Sequence, residues 1–326
     1  MKLKKFFKSY IKFYYYKIIF IIILFIPIIL LNKLSKNINN IINNVKVCVC
    51  TLGKKENNYI REFVEHYLSY GVDKIILYDN NDYNGEKFEE VINDYIKKNL
   101  VEIINFRDKK GALFEIMYDC YYKNIRKYDW FIFYQIDEFI YLKDFKNIKI
   151  FLNNDRFKNC DSVQLNWLIR TDNNLLYYEN KPLKQRFIEK EKKARGKKEG
   201  VMQQVKSIIR GNISNLKFQN THFVDNKLKM CNGFGKRQKL FGFKAAKADF
   251  YNFYIDHYYS KSTEEFINKL TKGDAFFKDD LKNILFRIKY YFQINEITEK
   301  KIEMIENKTG LNLSIYKNAI YNKFKH

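Results

Sequence analysis

Between residues 45 and 140 the chain alternates between two periodicities, and no other feature limits its possible folds as strongly. VKVCVCTL (45–52) is rich in β-branched residues and reads as a buried strand, while NNYIREFVEHYLSYG (57–71) places apolar residues at helical spacing and stops at Gly71. DKIILYDNN is a second strand running into a polar turn, FEEVINDYIKKN a helix, LVEIINF a third strand, GALFEIMYDCYYKNIRKY a third helix and YDWFIFYQIDEF a fourth strand. Strand and helix in strict succession, with short connections, predict a mostly parallel sheet with helices on both faces. Such sheets bind their ligands beyond the carboxyl ends of the strands. That rim would carry Thr51, Asp79 with Asn80 and Asn81, and Asp137 with Glu138. No G-x-G-x-x-G or G-K-[ST] follows the first strand, which argues against a Rossmann cofactor site or a P-loop.

In FIFYQIDEFI (131–140) an apolar run is interrupted by two adjacent acids. Buried carboxylates need water or a cation beside them. At a strand's exit they can hold Mg²⁺ or Mn²⁺, and the ion can clamp a diphosphate; two acids capping a helix is the structural alternative. Asp79, Asn80 and Asn81 can accept from a base N–H or ribose hydroxyls, or simply form a turn. Arg107, Lys109 and Lys110 follow the third strand, where they can meet phosphate oxygens or serve as surface charge.

After residue 140 the alternation decays. SVQLNWLIR and VKSIIRG read as strands, and STEEFINKLTKG as a helix capped by Ser262 or Thr263 with Glu264 and Glu265 in its first turn. KEKKARGKKEG (190–200) has no hydrophobic face and reads as a solvated loop, with acceptor or membrane contact as the alternative. Five cysteines show no metal-ligand spacing; Cys48 and Cys50 share one face of the first strand, and the set reads as buried free thiols.

The amino-terminal stretch MKLKKFFKSYIKFYYYK carries six lysines and no acid, and fourteen uncharged apolar residues follow. Together with Phe13–Tyr16 they approach the ~20 residues that cross a bilayer. NKLSKNINN offers no small-residue cleavage site, so the segment reads as a retained single-pass anchor, with a helix lying in the interface as the alternative. The lysine excess before the span favours a cytoplasmic amino terminus. The formal charge of +23 is compatible with a nucleic-acid partner. An AT-rich coding bias, which also gives the abundance of Asn, Ile, Tyr and Phe, is the preferred explanation, and nucleic acid accounts neither for the anchor nor for acids and amides gathered on one rim.

The blocks YIREFVEHYLSYGVDKIILYDNN, YDWFIFYQIDEFI, NWLIRTDNN, KSIIR, THFVDN and DHYYSKSTEEFINKLTKGDA, in that order over residues 45–275, resemble GT-A glycosyltransferases of the family-2-like and family-92 group. The resemblance implies a GT-A α/β fold and metal-dependent transfer of a sugar from a nucleotide-sugar, a UDP-sugar foremost, to a glycan, glycolipid or glycoprotein. It also implies inversion at the sugar, and Mn²⁺ or Mg²⁺ as cofactor. QID at Gln135–Asp137 stands in place of the family's D-x-D, so Asp137 keeps the metal role while Gln135 departs from it. His257 falls where a carboxyl-terminal His completes the metal shell or contacts the diphosphate, a buried structural His being the alternative, and Lys261, four residues on and assigned to the donor side, shares its face if the helix begins early. Thr51, Asp79, Asn80, Arg107 and Lys110 fall on the donor side, Trp167 on the acceptor side as a sugar platform or as core, and Asp172 at the position of the general base. A Thr precedes Asp172 where the family commonly has Gly. An aspartyl-phosphate phosphohydrolase is disfavoured because its nucleophile would be Gln135. An inactive, membrane-anchored sugar- or nucleotide-binding relative stands as the alternative to the enzyme.

The expected organisation is therefore an anchor at 1–31, a tether at 32–44, a GT-A domain at 45–275 and a helical extension at 276–326. The catalytic domain would be lumenal in a eukaryotic or viral source and at the cytoplasmic face in a bacterial one.

Overall fold

The computed structural model describes residues 30, 32–40, 44–189, 204–272 except 221, 223, 225–226, 242–243 and 246–247, and 281–323. The expected anchor and the lysine-rich 190–200 segment lie outside the described residues, apart from Leu30. Among the described residues no helix is long and apolar enough to cross a membrane. The chain forms two compact units, residues 1–45 and 46–326. In the first, residues 32–40, read as a tether, are helical.

In the second unit the parallel half of the sheet follows the sequence pattern. Strands β1 (Val47–Gly53), β2 (Lys74–Asp79), β3 (Val101–Asn105) and β4 (Trp130–Ile132) pair in the order β3-β2-β1-β4, all parallel. Helices Asn57–Ser69, Glu89–Lys97 and Leu113–Asn124 connect them. The first buries Tyr59, Ile60, Phe63, Val64 and Tyr67, the one-sided stripe that its spacing implied. The helix Leu113–Asn124 covers the opposite face, where Ile116, Met117 and Tyr121 pack on Cys48, Cys50, Ile76 and Tyr78. At the carboxyl end of β1 the chain passes close under its neighbours: a Cβ on Gly53 would lie 2.5 Å from the Phe88 ring.

The expected fourth strand is two strands. β4 ends at Ile132, and β5 (Glu138–Leu142) lies at the far edge of the sheet. A reciprocal pair of bonds causes the break: the Gln135 N–H donates to Glu138 Oε2 at 2.9 Å, and the Glu138 N–H donates to the Gln135 carbonyl at 2.9 Å. The closed turn takes the chain out of the ladder, which no helix cap could do. Glu138 is fully buried and faces Lys206 at 3.3 Å.

The rest of the sheet is β6 (Ser162–Ile169), β7 (Val205–Arg210), β8 (Met230–Asn232) and β11 (Phe253–His257); β9 (Leu240–Phe241) and β10 (Lys244–Ala245) form a separate hairpin. The order continues β4-β7-β6-β11-β5, with β8 alongside β6. β7 is antiparallel to both neighbours, β11 parallel to β6, and β5 antiparallel to β11. The sheet is thus mixed, where the sequence pattern implied a mostly parallel one.

Four of the five cysteines, expected to be free, are paired. Cys50–Cys120 ties β1 to the helix Leu113–Asn124, and Cys160–Cys231 ties the entry of β6 to β8; Cys48 remains a buried thiol. Spacing could not show this, because each pair closes a loop of about seventy residues and depends on tertiary contact.

A second core forms where helix Thr263–Thr271 meets helices Leu281–Ile294 and Glu299–Thr309 through Phe266, Leu270, Ile288, Tyr291, Ile302 and Ile305. Ser262 and Glu265 form a complete capping box at the start of the first of these helices.

Candidate active site

Pairing of β5 with β11 sets Glu138 opposite His257, and the Tyr258 N–H donates to the Asp137 carbonyl at 2.9 Å. Residues 120 positions apart in the chain are thereby brought together. His257 Nε2 lies 3.7 Å from Asp137 Oδ1, and Lys269 Nζ lies 2.8 Å from Oδ2. Burial pushes the Asp137 carboxyl up, but Lys269 and His257 outweigh it and hold it well below the usual carboxylate range. The group is therefore ionised at neutral pH. For Lys269 burial prevails: it draws the ammonium below its ordinary value despite Asp137, and Lys261 and Lys272 add to the effect.

Asp137 opens on a cavity of about 350 Å³, also lined by Asn80, Lys109, Lys110, Gln135, Lys269 and Lys272. A neighbouring cavity of about 530 Å³ shares Glu56, Lys269 and Lys272 with it and adds Tyr59 and Lys261. Lys261 and Lys272 both contact Glu56, Lys261 at 3.4 Å. Burial pushes Glu56 up as well, and these two lysines outweigh it to hold it below its ordinary value.

The donor set fits a divalent cation. Asp137 supplies a carboxylate, and both ring nitrogens of His257 are buried without a hydrogen-bond partner. The Gln135 side chain lines the same cavity. Carboxylate oxygen suits Mg²⁺ or Mn²⁺ and imidazole suits Zn²⁺ or Fe²⁺, so the mixed pair fits a first-row divalent ion without singling one out. Among the described residues no third His, Cys, Asp or Glu ligand atom converges with Asp137 and His257; the three that do converge are those of Cys48, Cys50 and Cys120.

Several expected site residues have other partners. The Arg107 guanidinium meets Asp79 Oδ2 at 2.6 Å and donates to the carbonyls of Asp82, Tyr83 and Glu86 at 3.0, 3.1 and 2.7 Å. It braces the 82–86 turn, and it does not line the Asp137 cavity. Asp79 also accepts from the Asn81 N–H, and the Asn80 amide donates to the carbonyls of Phe106 and Lys109, so both shape the rim from behind. Thr51 is buried with an unpartnered hydroxyl and lines neither cavity. Lys110 is exposed on the cavity wall. Lys261 shares no helical face with His257: His257 ends β11 and the next helix starts at Thr263. Lys261 instead sits 3.9 Å over the Tyr59 ring.

Trp167 is only 7% exposed, with its ring centroid 4.2 Å from that of His257 and 4.8 Å from that of His222. It forms the floor under His257 and is no open sugar platform. Asp172 departs furthest from expectation. It is 1% exposed, its Oδ2 meets Lys301 Nζ at 2.7 Å and accepts from Tyr291 at 2.6 Å, and its Oδ1 accepts from the Asn174 N–H at 2.9 Å. A general base needs a lone pair open to the acceptor. Asp172 instead clamps helices Leu281–Ile294 and Glu299–Thr309 to the end of β6.

Glu56, Lys269 and Lys272 were missed. The two lysines are visible in STEEFINKLTKG three positions apart, on one face of the helix and at its end, but nothing local links them to acids 132 and 216 residues upstream.

At the carboxyl edge of the sheet Asp137 thus opens on a lysine-lined cavity, with the buried His257 beside it. The chain belongs to glycosyltransferase family 92, whose sequence profile matches residues 43–308. No curated protein matches it. Among solved structures it is similar to S. aureus TarS 1-349 in complex with UDP, at 13% identity and TM-score 0.30, over 39% of this chain and 36% of that one. It is similar to S. aureus TarS 1-349 in complex with UDP-GlcNAc at 12% identity and TM-score 0.33, over 82% of this chain and 80% of that one. With S. aureus TarS the values are 9% and 0.34, over 76% and 43%. The chain thus spans 36% of the first TarS chains it matches and 43% of the next.

Proposed function

We propose that the protein moves a sugar from a nucleotide-sugar, UDP being the expected carrier, to a hydroxyl of a glycan, glycolipid or glycoprotein in a GT-A type site. The observation that carries this reading is Asp137, paired with the buried His257 and opening on a lysine-lined cavity at the carboxyl ends of parallel strands. Breaking the sugar–phosphate bond builds charge on the departing diphosphate, and Mn²⁺ or Mg²⁺, when bound by Asp137 and His257, supplies Lewis-acid stabilisation of that charge. Lys109, Lys110 and Lys272 face the same cavity and add fixed positive charge toward the phosphates. Asn80, held by the 106–109 loop, keeps the nucleoside side of the rim in place. With Asp172 occupied by Lys301, inversion at the sugar rests on the family resemblance, and an NMR coupling constant of the product reads it directly.

A thermal-shift panel of nucleotide-sugars with and without Mn²⁺ tests the donor reading. One nucleotide class should raise Tm, and more so with Mn²⁺. A panel in which none shifts Tm under either condition removes it.

We also propose that residues 1–31 anchor the chain in a membrane, on the strength of the lysine-rich head and the apolar run that follows it. The two disulfides support a catalytic domain on an oxidising side. Full-length protein should then stay in the pellet after carbonate extraction, with residues beyond 45 protected from protease added to the cytoplasmic face. Carbonate release would indicate a peripheral helix instead.

A further inference from the structure

Around Asp137 there are more ammonium groups than carboxylates to receive them. Lys261 and Lys272 both reach Glu56, and Lys269 reaches Asp137. In this cluster two carboxylates face three cations, and the two adjoining cavities as a whole are lined by six acids and eight Lys or Arg. Such an excess suits an anion as guest.

Lys269 has a particular place among the three. Its Nζ lies 2.8 Å from Asp137 Oδ2 and donates to the Tyr259 carbonyl at 3.3 Å, 4.5 Å from the centre of the Tyr259 ring. Its own carbonyl accepts from Arg287 Nη2 at 2.9 Å, so the backbone beneath the side chain is pinned. The ammonium therefore occupies one oxygen of the carboxylate that a metal ion would use, while His257 stands at the other. An ammonium and a divalent ion on one carboxylate repel each other strongly in a partly buried site. The lysine stem has four carbons and rotatable bonds, whereas Asp137 carries its carboxylate on a single carbon from a backbone fixed by the 135–138 turn and by the Tyr258 N–H. When both cations compete for Asp137, the lysine is the one able to leave. The cavity it would swing into is the one Asp137 itself lines.

We propose that Lys269 is a tethered counter-ion of Asp137 which a divalent cation must displace, and that the displaced ammonium then becomes a ligand of the donor's diphosphate. The proposal rests on the reading of Asp137 as a metal carboxylate. Under it Lys269 opposes metal binding to the free protein and assists nucleotide binding to the metal-loaded one. A residue that only supported the local structure would affect both in the same direction.

Mn²⁺ binding to the full-length protein in detergent, followed by the EPR signal of free Mn²⁺, and UDP titration calorimetry at saturating Mn²⁺ separate these cases. Lys269→Met should bind Mn²⁺ about tenfold more tightly and UDP about tenfold more weakly than wild type. Lys269→Arg keeps the charge and should stay near wild type in Mn²⁺ affinity. Lys269→Gln gives the same comparison should methionine disturb the Tyr259 ring. If wild type binds Mn²⁺ and neither neutral variant binds it more tightly, the counter-ion role is wrong while the metal site stands. If wild type and both neutral variants bind no Mn²⁺, the metal reading fails and this proposal fails with it.

Discussion

Asp137→Ala should lose Mn²⁺-dependent binding of a nucleoside diphosphate and sugar transfer together, each by about a hundredfold or more, as expected when a metal-bound carboxylate is removed. In the proposed site this carboxylate and His257 are the two side chains that would hold the ion, and an imidazole alone would hold it weakly. Its removal also leaves Lys269 without its ion-pair partner, and that ammonium lies against a cavity open to solvent. Metal-free UDP binding should therefore survive in Asp137→Ala, or improve slightly, because a negative charge has left the anion's path. Calorimetry with UDP, first with Mn²⁺ and then with EDTA, checks both halves. Equal Mn²⁺-dependent affinity in wild type and Asp137→Ala would falsify the assignment of Asp137.

Asp172→Asn should act on stability where the family resemblance would have it act on turnover. Its carboxylate neutralises Lys301, which is 1% exposed at the side chain, and accepts from Tyr291 in the second core. Removing one member of a buried pair leaves the other charge uncompensated and costs about 3–5 kcal/mol. The Tyr291 bond and the turn at Asn174 can persist with asparagine, so the loss falls chiefly on Lys301. Denaturant unfolding should show a clearly lowered midpoint. Asp172→Asn with Lys301→Met should recover much of the loss by removing the stranded charge. A single variant that unfolds at the wild-type midpoint yet loses turnover by about 10²–10⁴-fold would reinstate Asp172 as the base.

What could be read in the sequence follows from the range of the forces involved. The strands and helices up to residue 132 were legible because a period of two or of 3.6 is a local property, and each apolar stripe faces the layer beside it. The break between β4 and β5 was hidden because FIFYQIDEFI stays apolar on both sides of the acids. Only the bonds between Gln135 and Glu138 show that the second acid closes a turn. β6 and β7 were recognisable as strands, but their antiparallel pairing is a tertiary outcome. In the site, Asp137 was signalled by two acids interrupting an apolar run and His257 by the family resemblance alone, while the β5–β11 pairing that joins them is not local. Arg107 and Asp172 could not be judged without their partners: a guanidinium reads alike whether it meets phosphate or three backbone carbonyls. Asp172 lies 119 residues from the tyrosine that donates to it. The lysines around Asp137 and Glu56 were hidden for another reason, since in a chain with 60 basic residues no single lysine stands out.

The crossing from β4 to β5 also makes chain length a determinant of the site. Between Ile132 and Glu138 the polypeptide passes the edges of β7, β6 and β11 to reach the far side of the sheet. Four strand spacings amount to about 19 Å on a flat sheet. Six residue steps extend to about 20–22 Å at most. The turn at 135–138 consumes part of that reach, so the sheet must curl toward the segment and little slack remains. Removing one residue from this stretch would pull β5 along β11 by one position, and each side chain of β5 would exchange faces. Glu138 would no longer lie opposite His257, and Asp137 would leave the imbalance of lysines it now anchors. The position of the candidate metal carboxylate is thus measured out by a count of residues as much as it is held by its contacts, so deleting one residue of 133–136 should displace it more than a size-conserving substitution of Phe133 or Ile136.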